Sequence, residues 1–463
     1  MKRPTRNAVL LFTGEVLTRF LGFLVSALLA RRLGIDGFGQ VGFAVAITSY
    51  GVAGTKLGLL TVGIRDAAQD RSSIPRLAGN ILPIRLLLAV VATGIVAALA
   101  LVIDKPADVK ALLLVFGVSI LLQSLLLEWV FNGLERMEYP AVGRVITYAL
   151  YFGFVAAFVR GPAQLLWVPV AFGIGTLGAV VFLAIAYTRR FGPPKFRLDT
   201  LLWRYLALRS WPVGLASVLS QFYVSLGIVG LSLLRTYREA GLFTSAHRLV
   251  FFLLILDRVF QSVFLPAVSR YYKSNQQCLP QVTGTALRVI VALSLPVCVG
   301  LSLLARQALT LVFGASYSAA APTLTVLCWF LPLSLLTTLA GYSLLASGRE
   351  RRFCRNTALG VGLAVALAVP GIRLWGSGAA AAVMLLGEAF ILVLMGHDFL
   401  RSCRPVVNAT IIVPFVGCVL LAGVVLLLRS WSWPVAAIAG AMVYFIVVFL
   451  GRGLTVKDLG LAG

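Results

Sequence analysis

Fourteen apolar stretches, each about long enough to cross a hydrocarbon layer roughly 30 Å thick, follow one another from Ala8 to Leu450, and what joins them is short and mostly basic. Apolar residues make up 60% of the chain and charged residues only 12%. A water-soluble fold could not hide that much apolar surface behind a solvated exterior. The runs are continuous, whereas the strands of a membrane β-barrel alternate apolar and polar residues over about ten positions. The sequence therefore predicts an all-α polytopic membrane protein. Its expected spans are approximately residues 8–30, 39–60, 81–103, 112–131, 142–159, 167–187, 213–234, 241–264, 285–304, 323–346, 357–374, 376–395, 409–428 and 434–450. The division between the eleventh and twelfth is the weakest, since only the turn at Trp375 and Gly376 separates them, and a count of twelve or thirteen stays open.

The net charge of +24 suggests nucleic acid until the cations are placed. About 25 Lys and Arg fall in loops on one side of the expected spans and about 11 on the other, which orients the chain by the positive-inside rule. The rich side holds Lys2, Arg3 and Arg6, then Arg65, Arg71 and Arg76, the block from Arg189 to Arg209, and Arg349, Arg351, Arg352 and Arg355. That side is expected to be cytoplasmic, with both termini on it, and the basicity to serve topology and lipid headgroups; no nucleic-acid partner is expected. The basic N-terminus before an apolar run imitates a signal peptide. Glu15 and Arg19 interrupt that run, however, and Arg31 and Arg32 follow Ala30 at once, so the segment reads as a retained first helix.

The longest polar interval lies near the middle of the chain and contains Pro193-Pro194, Lys195, Arg197 and Arg204. A basic, proline-containing linker between similar halves predicts duplicated lobes. The expected division is a six-helix lobe over 1–190, a linker over 191–210, a second six-helix lobe over 211–400, and two added spans with a cytoplasmic tail over 401–463. Internal similarity supports it. The loop from Gly34 to Gly39 after span 1 resembles Tyr237 to Phe243 after span 7, and Asn132 to Arg136 after span 4 resembles Ser347 to Arg351 after span 10. Six spans per lobe is an even number, so the repeat is parallel.

Charge inside a span costs about 2.5–3.5 kcal/mol at the centre on insertion scales, so each case asks for a partner or a wet cavity. Span 1 carries Glu15 and Arg19 at i,i+4, opposite in sign on one face. Its counterpart, span 7, has Ser217, Gln221 and Ser225 at successive i+4 steps. Span 8 carries Arg248, Asp257, Arg258 and Gln261, and span 2 adds Thr48, Thr55 and Lys56. These polar faces are expected to line a central cavity, with Glu15, Thr55, Ser217, Gln221, Arg248, Asp257 and Gln261 on its wall. Simpler readings stand beside this one. Glu15 and Arg19 also fit a pair that merely eases insertion, and Asp257 and Arg258, being adjacent, point about 100° apart. Lys56, Arg85 and Arg248 lie near span ends and read first as snorkelling cations. Glu128 and Glu388 lack an obvious local partner, and contact with loop arginines is the simplest expectation. Ser, Thr and Gly inside spans are more often packing residues than ligands.

No catalytic constellation is present in the sequence. There is no phosphate-binding loop of the nucleotide-hydrolysing type. His247 and His397 are isolated, and the six cysteines show no metal-ligand spacing; three fall in spans and three in expected cytoplasmic loops, where thiols stay reduced. The sequence predicts neither an enzyme nor a bound metal or other cofactor.

Four short motifs, in this order across the chain, carry a family resemblance: Arg31-Arg32-Leu33-Gly34-Ile35-Asp36-Gly37-Phe38-Gly39, Arg65-Asp66-Ala67-Ala68, Gly133-Leu134-Glu135-Arg136, and Gly376-Ser377-Gly378-Ala379-Ala380. With them the chain resembles the polysaccharide-biosynthesis or O-antigen (Wzx-type) flippases. That family is a branch of the multidrug, oligosaccharidyl-lipid and polysaccharide exporter superfamily, which also holds the MATE exporters and the lipid II flippases. The resemblance implies two lobes around a cavity that move a polyprenyl-pyrophosphate-linked oligosaccharide from the cytoplasmic to the outer leaflet of the plasma membrane by alternating access. It also implies lipopolysaccharide-type surface glycans, a polymerase and glycosyltransferases as partners, and H+ or Na+ as coupling ion. Such a passenger needs a wet path with cations for its phosphates, and a guanidinium fork suits phosphate. Arg19 and Arg258 are the expected pyrophosphate-binding residues, held in place by Glu15 and Asp257 when the site is empty. The alternatives are a MATE-type drug exporter with Glu15 as the coupling carboxylate, a lipid II flippase, and a non-transporting scaffold. Cationic side chains in the cavity argue against a cationic drug.

The loop charges make the orientation testable. In a cysteine-free background, an impermeant thiol reagent added outside should label Asp36→Cys and the segment around Tyr317 and spare Lys195→Cys. Labelling at Lys195→Cys but not at Asp36→Cys would reverse the assignment.

Overall fold

Runs of Leu, Val, Ala and Phe with no water to bond their backbone must close every N–H and C=O internally, and the helix does this within one segment. A computed structural model describes residues 3–194, 196, 199–274, 276–406, 408–451 and 453. Lys195 and Arg197 of the expected linker, Lys2 at the N-terminus and the tail 454–463 lie outside the described residues, as do the side chains of Arg3 and Arg6. The helices of the first half are α1 (Arg3–Lys56), α2 (Leu59–Gln69), α3 (Ile74–Val102), α4 (Ala107–Ser124), α5 (Glu128–Gly133), α6 (Glu138–Phe158), α7 (Trp167–Phe191) and α8 (Thr200–Leu234). Then follow α9 (Tyr237–Leu253), α10 (Ile255–Ser274), α11 (Leu279–Leu303), α12 (Ala305–Phe313), α13 (Ala321–Leu327), α14 (Phe330–Ala346), α15 (Glu350–Cys403), α16 (Val413–Leu428) and α17 (Trp433–Leu450). No strand occurs among the described residues.

Twelve helical stretches among the described residues are long and apolar enough to cross a membrane. Two of them are double length, at 57 and 54 residues; the first is interrupted at Gly34 (φ 71°) and again at Leu57–Gly58 between α1 and α2, the second at Gly376 (φ 60°). A side chain at Gly34 or Gly376 would be strained, since only glycine takes a positive φ without cost. At Gly376 the chain turns back on itself: Gly360 faces Ile391 so closely that a Cβ would lie 2.0 Å from its side chain. Counting both halves of the two double stretches gives the fourteen expected crossings, including the doubtful pair around Gly376. Three crossings that read as continuous in sequence are interrupted, at Leu125–Leu127, at Leu254, and at Cys328–Trp329.

Packing divides the chain into two compact units, Met1–Thr244 and Ser245–Gly463. In the first, the initial half of α1 runs alongside α6 in register. A Cβ on Gly14 would lie 2.6 Å from that of Ala141, and one on Gly22 would lie 3.1 Å from the ring of Tyr148. The second half of α1 runs antiparallel to α8, and glycines mark both ends of this seam. A Cβ on Gly39 would fall 2.0 Å from the Tyr237 carbonyl oxygen and one on Gly241 2.1 Å from that of Ile35. At the other end Gly58 meets Ser210 and Gly214 meets Leu57. Between them Gln221 donates to Ser49 Oγ (2.9 Å) and Ser225 Oγ (3.0 Å). This seam is why the seventh crossing belongs to the first unit. An apolar cluster of Leu59, Ile74, Ile81, Trp129, Phe131 and Leu206 fills one end of the unit.

Asp199, just before α8, is pinned by the side chains of Asn80 and Arg76 and caps the helix. Asn80, fully buried, accepts from the Asp199 backbone N–H (3.0 Å) and from Trp203 Nε1 (3.0 Å). Asp199 caps α8 by accepting from the Leu202 N–H (3.0 Å) and takes a second bond from Arg76. The Arg76 guanidinium and the cap N–H hold the Asp199 carboxyl below the usual carboxylate range. In the second unit α11 packs against α14 and α16, and Tyr444 of α17 donates to the Ala292 carbonyl at 2.6 Å. The open ends of the α15 hairpin are tied by Arg352 to Asp398 (2.7 Å) and Arg349 to Ser402 (2.9 Å).

Two stability outcomes follow. Gly39→Val should cost about 2–3 kcal/mol by forcing backbone apart, whereas Gly94→Ala, with open space around it, should be neutral or slightly stabilising. Thermal unfolding in detergent compares the two. Asp199→Asn keeps the cap and removes the ion pair. Because the folded carboxyl titrates lower than the unfolded one, the pair's contribution is present above about pH 4 and is lost as pH falls through the folded value. The melting-temperature gap between wild type and Asp199→Asn should therefore be open at pH 7 and close on acidification.

Candidate functional site

The i,i+4 spacing of Glu15 and Arg19 does what one helical face allows: Arg19 Nε donates to Glu15 Oε1 at 2.9 Å. The second oxygen of Glu15 is also engaged. Arg144, on the first turns of α6, donates from NH1 to Glu15 Oε2 at 3.2 Å. The rest of its fork lies on Glu128 of α5, Nε to Oε1 at 3.3 Å and NH2 to Oε2 at 3.0 Å. The result is a ladder, Arg19–Glu15–Arg144–Glu128, with two guanidiniums and two carboxylates alternating across α1, α6 and α5. Gly14 sets the spacing, since its contact with Ala141 lets α1 approach α6 one residue before Glu15. All four side chains are partly exposed, between 24% and 41%.

Two further cations act on the ladder. Lys56 and Arg85 lie close enough to Glu128 to interact with its charge, and Lys56 also feels Arg144. Arg85 does not snorkel as its place near a span end suggested. It is 2% exposed and caps the interruption after α4, donating to the carbonyls of Gln123 (2.9 Å) and Leu126 (2.9 Å). The interruption breaks the regular helical pairing of those carbonyls, Gln123 keeping a long turn bond from the Leu126 N–H (3.4 Å), and a buried guanidinium serves both. Arg32 plays the same part at the end of α6, where NH1 reaches the carbonyls of Val155 (3.0 Å), Ala156 (2.8 Å) and Val159 (2.6 Å).

The other expected site residues are distributed as follows. In the first unit Thr55 is fully buried and returns its hydroxyl to the Val52 carbonyl of its own helix (2.8 Å). Gln221 is committed to the seam described above, and Ser217 is exposed on α8. In the second unit Gln261 donates to Asp257 Oδ2 (2.7 Å) and accepts from the Tyr342 hydroxyl (3.0 Å). Asp257 and Arg258 both act electrostatically on Tyr342. Arg258 and Arg248 are exposed on α10 and α9, and Glu388 is buried.

Sequence reasoning found Glu15 with Arg19, which share a helical face; it set Asp257 with Arg258, whereas the structure puts the Gln261 amide on Asp257. It missed Arg144 and Tyr342, whose partners lie on other helices. Glu128 has its arginine inside α6 rather than in a loop. Arg144 stands only two residues inside the expected fifth span, where a cation reads as snorkelling to the interface, so the sequence alone did not single it out.

Residues 5–272 match the family model described as polysaccharide biosynthesis protein. No curated protein matches the chain. Among solved structures, the lipid II flippase MurJ in an inward closed conformation is similar at 13% identity, with a TM-score of 0.81 and coverage of 97% of this chain and 99% of that one. A multidrug resistance MATE family transporter in an inward-facing conformation matches at 17% identity, TM-score 0.64, over 83% of this chain and 95% of that one. A MOP superfamily transporter from Pyrococcus furiosus, described as having a binding pocket of reversed polarity, matches at 16% identity, TM-score 0.59, over 86% and 95%.

Proposed function

We propose that this chain, which belongs to the polysaccharide biosynthesis protein family, moves a polyprenyl-pyrophosphate-linked oligosaccharide from the cytoplasmic to the outer leaflet. One observation carries the proposal. In a helix rich in Leu, Val, Phe and Ala, Arg19 is held at 2.9 Å by Glu15, partly exposed and oriented by a carboxylate. An arginine kept charged at such a place is costly unless something anionic uses it. A glycan on a pyrophosphate cannot enter hydrocarbon unaided, and a guanidinium fork offers its phosphates paired donors.

In this reading Arg19 and Arg258 take the pyrophosphate, Glu15 and Asp257 steady the empty site, and Thr55, Ser217, Gln221, Arg248 and Gln261 face the path of the glycan. The chain works as two six-helix lobes that alternate access, with α16 and α17 added outside them, in the plasma membrane with both termini cytoplasmic. The prenyl tail stays among membrane lipids. H+ or Na+ drives the cycle, and a polymerase and glycosyltransferases work beside it on an O-antigen-like glycan. The chemistry is transport, with no bond made or broken. Export of a cationic drug coupled through Glu15 is the rival, and it is disfavoured because cations outnumber carboxylates around the ladder.

The test uses cells lacking their own flippase, with export read as surface glycan. Arg19→Ala should lower export at least about tenfold, the loss expected for a charge-assisted hydrogen bond, while the protein still accumulates in the membrane. Arg19→Lys should rescue part of it. In the double change Glu15→Ala with Arg19→Ala, Arg144 keeps Glu128 and no charge is orphaned. Recovery of export in that double variant would overturn the proposal and leave the pair as an insertion device.

A further inference from the structure

Arg144 has no place in the expected site, yet its geometry gives it one. We infer that Arg144 is a second phosphate-binding residue, placed with Arg19 so that the two guanidiniums together select a diphosphate over a monophosphate. The inference rests on the proposed pyrophosphate-linked passenger and adds to it the residue that discriminates.

Three observations on the ladder carry it. Glu15 gives one oxygen to each guanidinium, Oε1 to Arg19 at 2.9 Å and Oε2 to Arg144 at 3.2 Å. The two arginines thus already converge on a single anion with two oxygens. A diphosphate offers the same grip, with one ionised oxygen on each phosphorus, and can replace Glu15 between them; a monophosphate engages one fork and leaves the other on its carboxylate. Second, Arg144 is the more accessible of the two, 41% exposed against 25% for Arg19. Third, Glu128, which takes the rest of the Arg144 fork, is not left without cations when a phosphate draws Arg144 away, because Lys56 and Arg85 also act on its charge. Four cations around two carboxylates leave a surplus that suits the about two negative charges of a diphosphate diester. A guanidinium retained only to neutralise Glu128 would need neither the bond to Glu15 nor the extra cations.

Direct binding tests this with the full-length protein purified in detergent, using farnesyl diphosphate and farnesyl monophosphate as probes and calorimetry or thermophoresis as readout. Wild type should prefer the diphosphate. Arg144→Gln should weaken diphosphate binding about tenfold, the loss of one charge-assisted contact, and leave monophosphate binding unchanged; Arg144→Lys should restore part of the preference. A purely structural role would lower the melting temperature and weaken both probes alike. If Arg144→Gln does not fold, the double change Arg144→Gln with Glu128→Gln, which removes both charges, carries the same comparison. A variant that keeps the wild-type preference overturns the role of Arg144 and leaves the proposed passenger standing. Wild type that binds neither probe, or binds both equally, overturns the pyrophosphate reading itself and this inference with it.

Discussion

A carbonyl left open where no water reaches it must find a donor in the protein, and this necessity organises the first unit. Helix ends and interruptions free backbone oxygens. Arg85 serves Gln123 and Leu126 at the break after α4, and Arg32 serves Ala156 and Val159 at the end of α6 and adds to Val155, whose carbonyl already accepts from the Val159 N–H (3.1 Å). The flat fork of Arg85 reaches two carbonyls three residues apart with two separate nitrogens, which the single ammonium of a lysine could not match. Buried arginine is therefore as much a structural material here as a functional one. That is also why counting arginines in spans does not locate a transport path.

Backbone proximity is the second organising constraint. Gly14 against Ala141, Gly39 against Tyr237, and Gly214 against Leu57 bring helices together with no side chain between them. In lipid, helix association draws on close van der Waals contact rather than on hydrophobic burial, and small residues allow it. The consequence reaches the site. Only because α1 lies on α6 at Gly14 does Glu15 come within 3.2 Å of Arg144. One glycine thus joins the packing of two crossings to the chemistry between them.

The all-helical membrane fold, the glycine turn at Gly376 and the Glu15–Arg19 pair were legible because each depends on residues close in sequence: run length, a glycine after an apolar block, one turn of helix. The interruptions inside the fourth, eighth and tenth crossings were not, since nothing local marks Leu125–Leu127 or Leu254 as a break; the signal lies in Arg85, some forty residues from the carbonyls it satisfies. Arg144 was missed for the same reason. Its partners, Glu15 and Glu128, sit on two other helices, and only their convergence makes the arginine more than a boundary cation. The motifs that carried the family resemblance prove to be packing elements in part. Gly133 of one approaches Ala67 of another, where a Cβ would lie 2.8 Å from the Ala67 side chain, and the Ile64 carbonyl just before that motif, so two distant motifs form one contact.

The fold shared with a lipid II flippase and a multidrug transporter does not choose a passenger, because function resides in the residues set on a fold. The charges that an apolar path retains bear on that choice. A cavity meant for a cation would place carboxylates in surplus, and each added arginine would weaken binding by like-charge repulsion. Around the ladder the balance runs the other way. Arg19, Arg144, Lys56 and Arg85 gather about Glu15 and Glu128, and the carboxylates hold their partners' forks in position rather than outnumber them. Such an arrangement is stable when empty because each carboxylate is answered by a guanidinium. Removing one member of an isolated pair would strand a charge in low dielectric. In the proposed reading Lys56 and Arg85 remain to act on Glu128 when an anionic passenger draws Arg144 away.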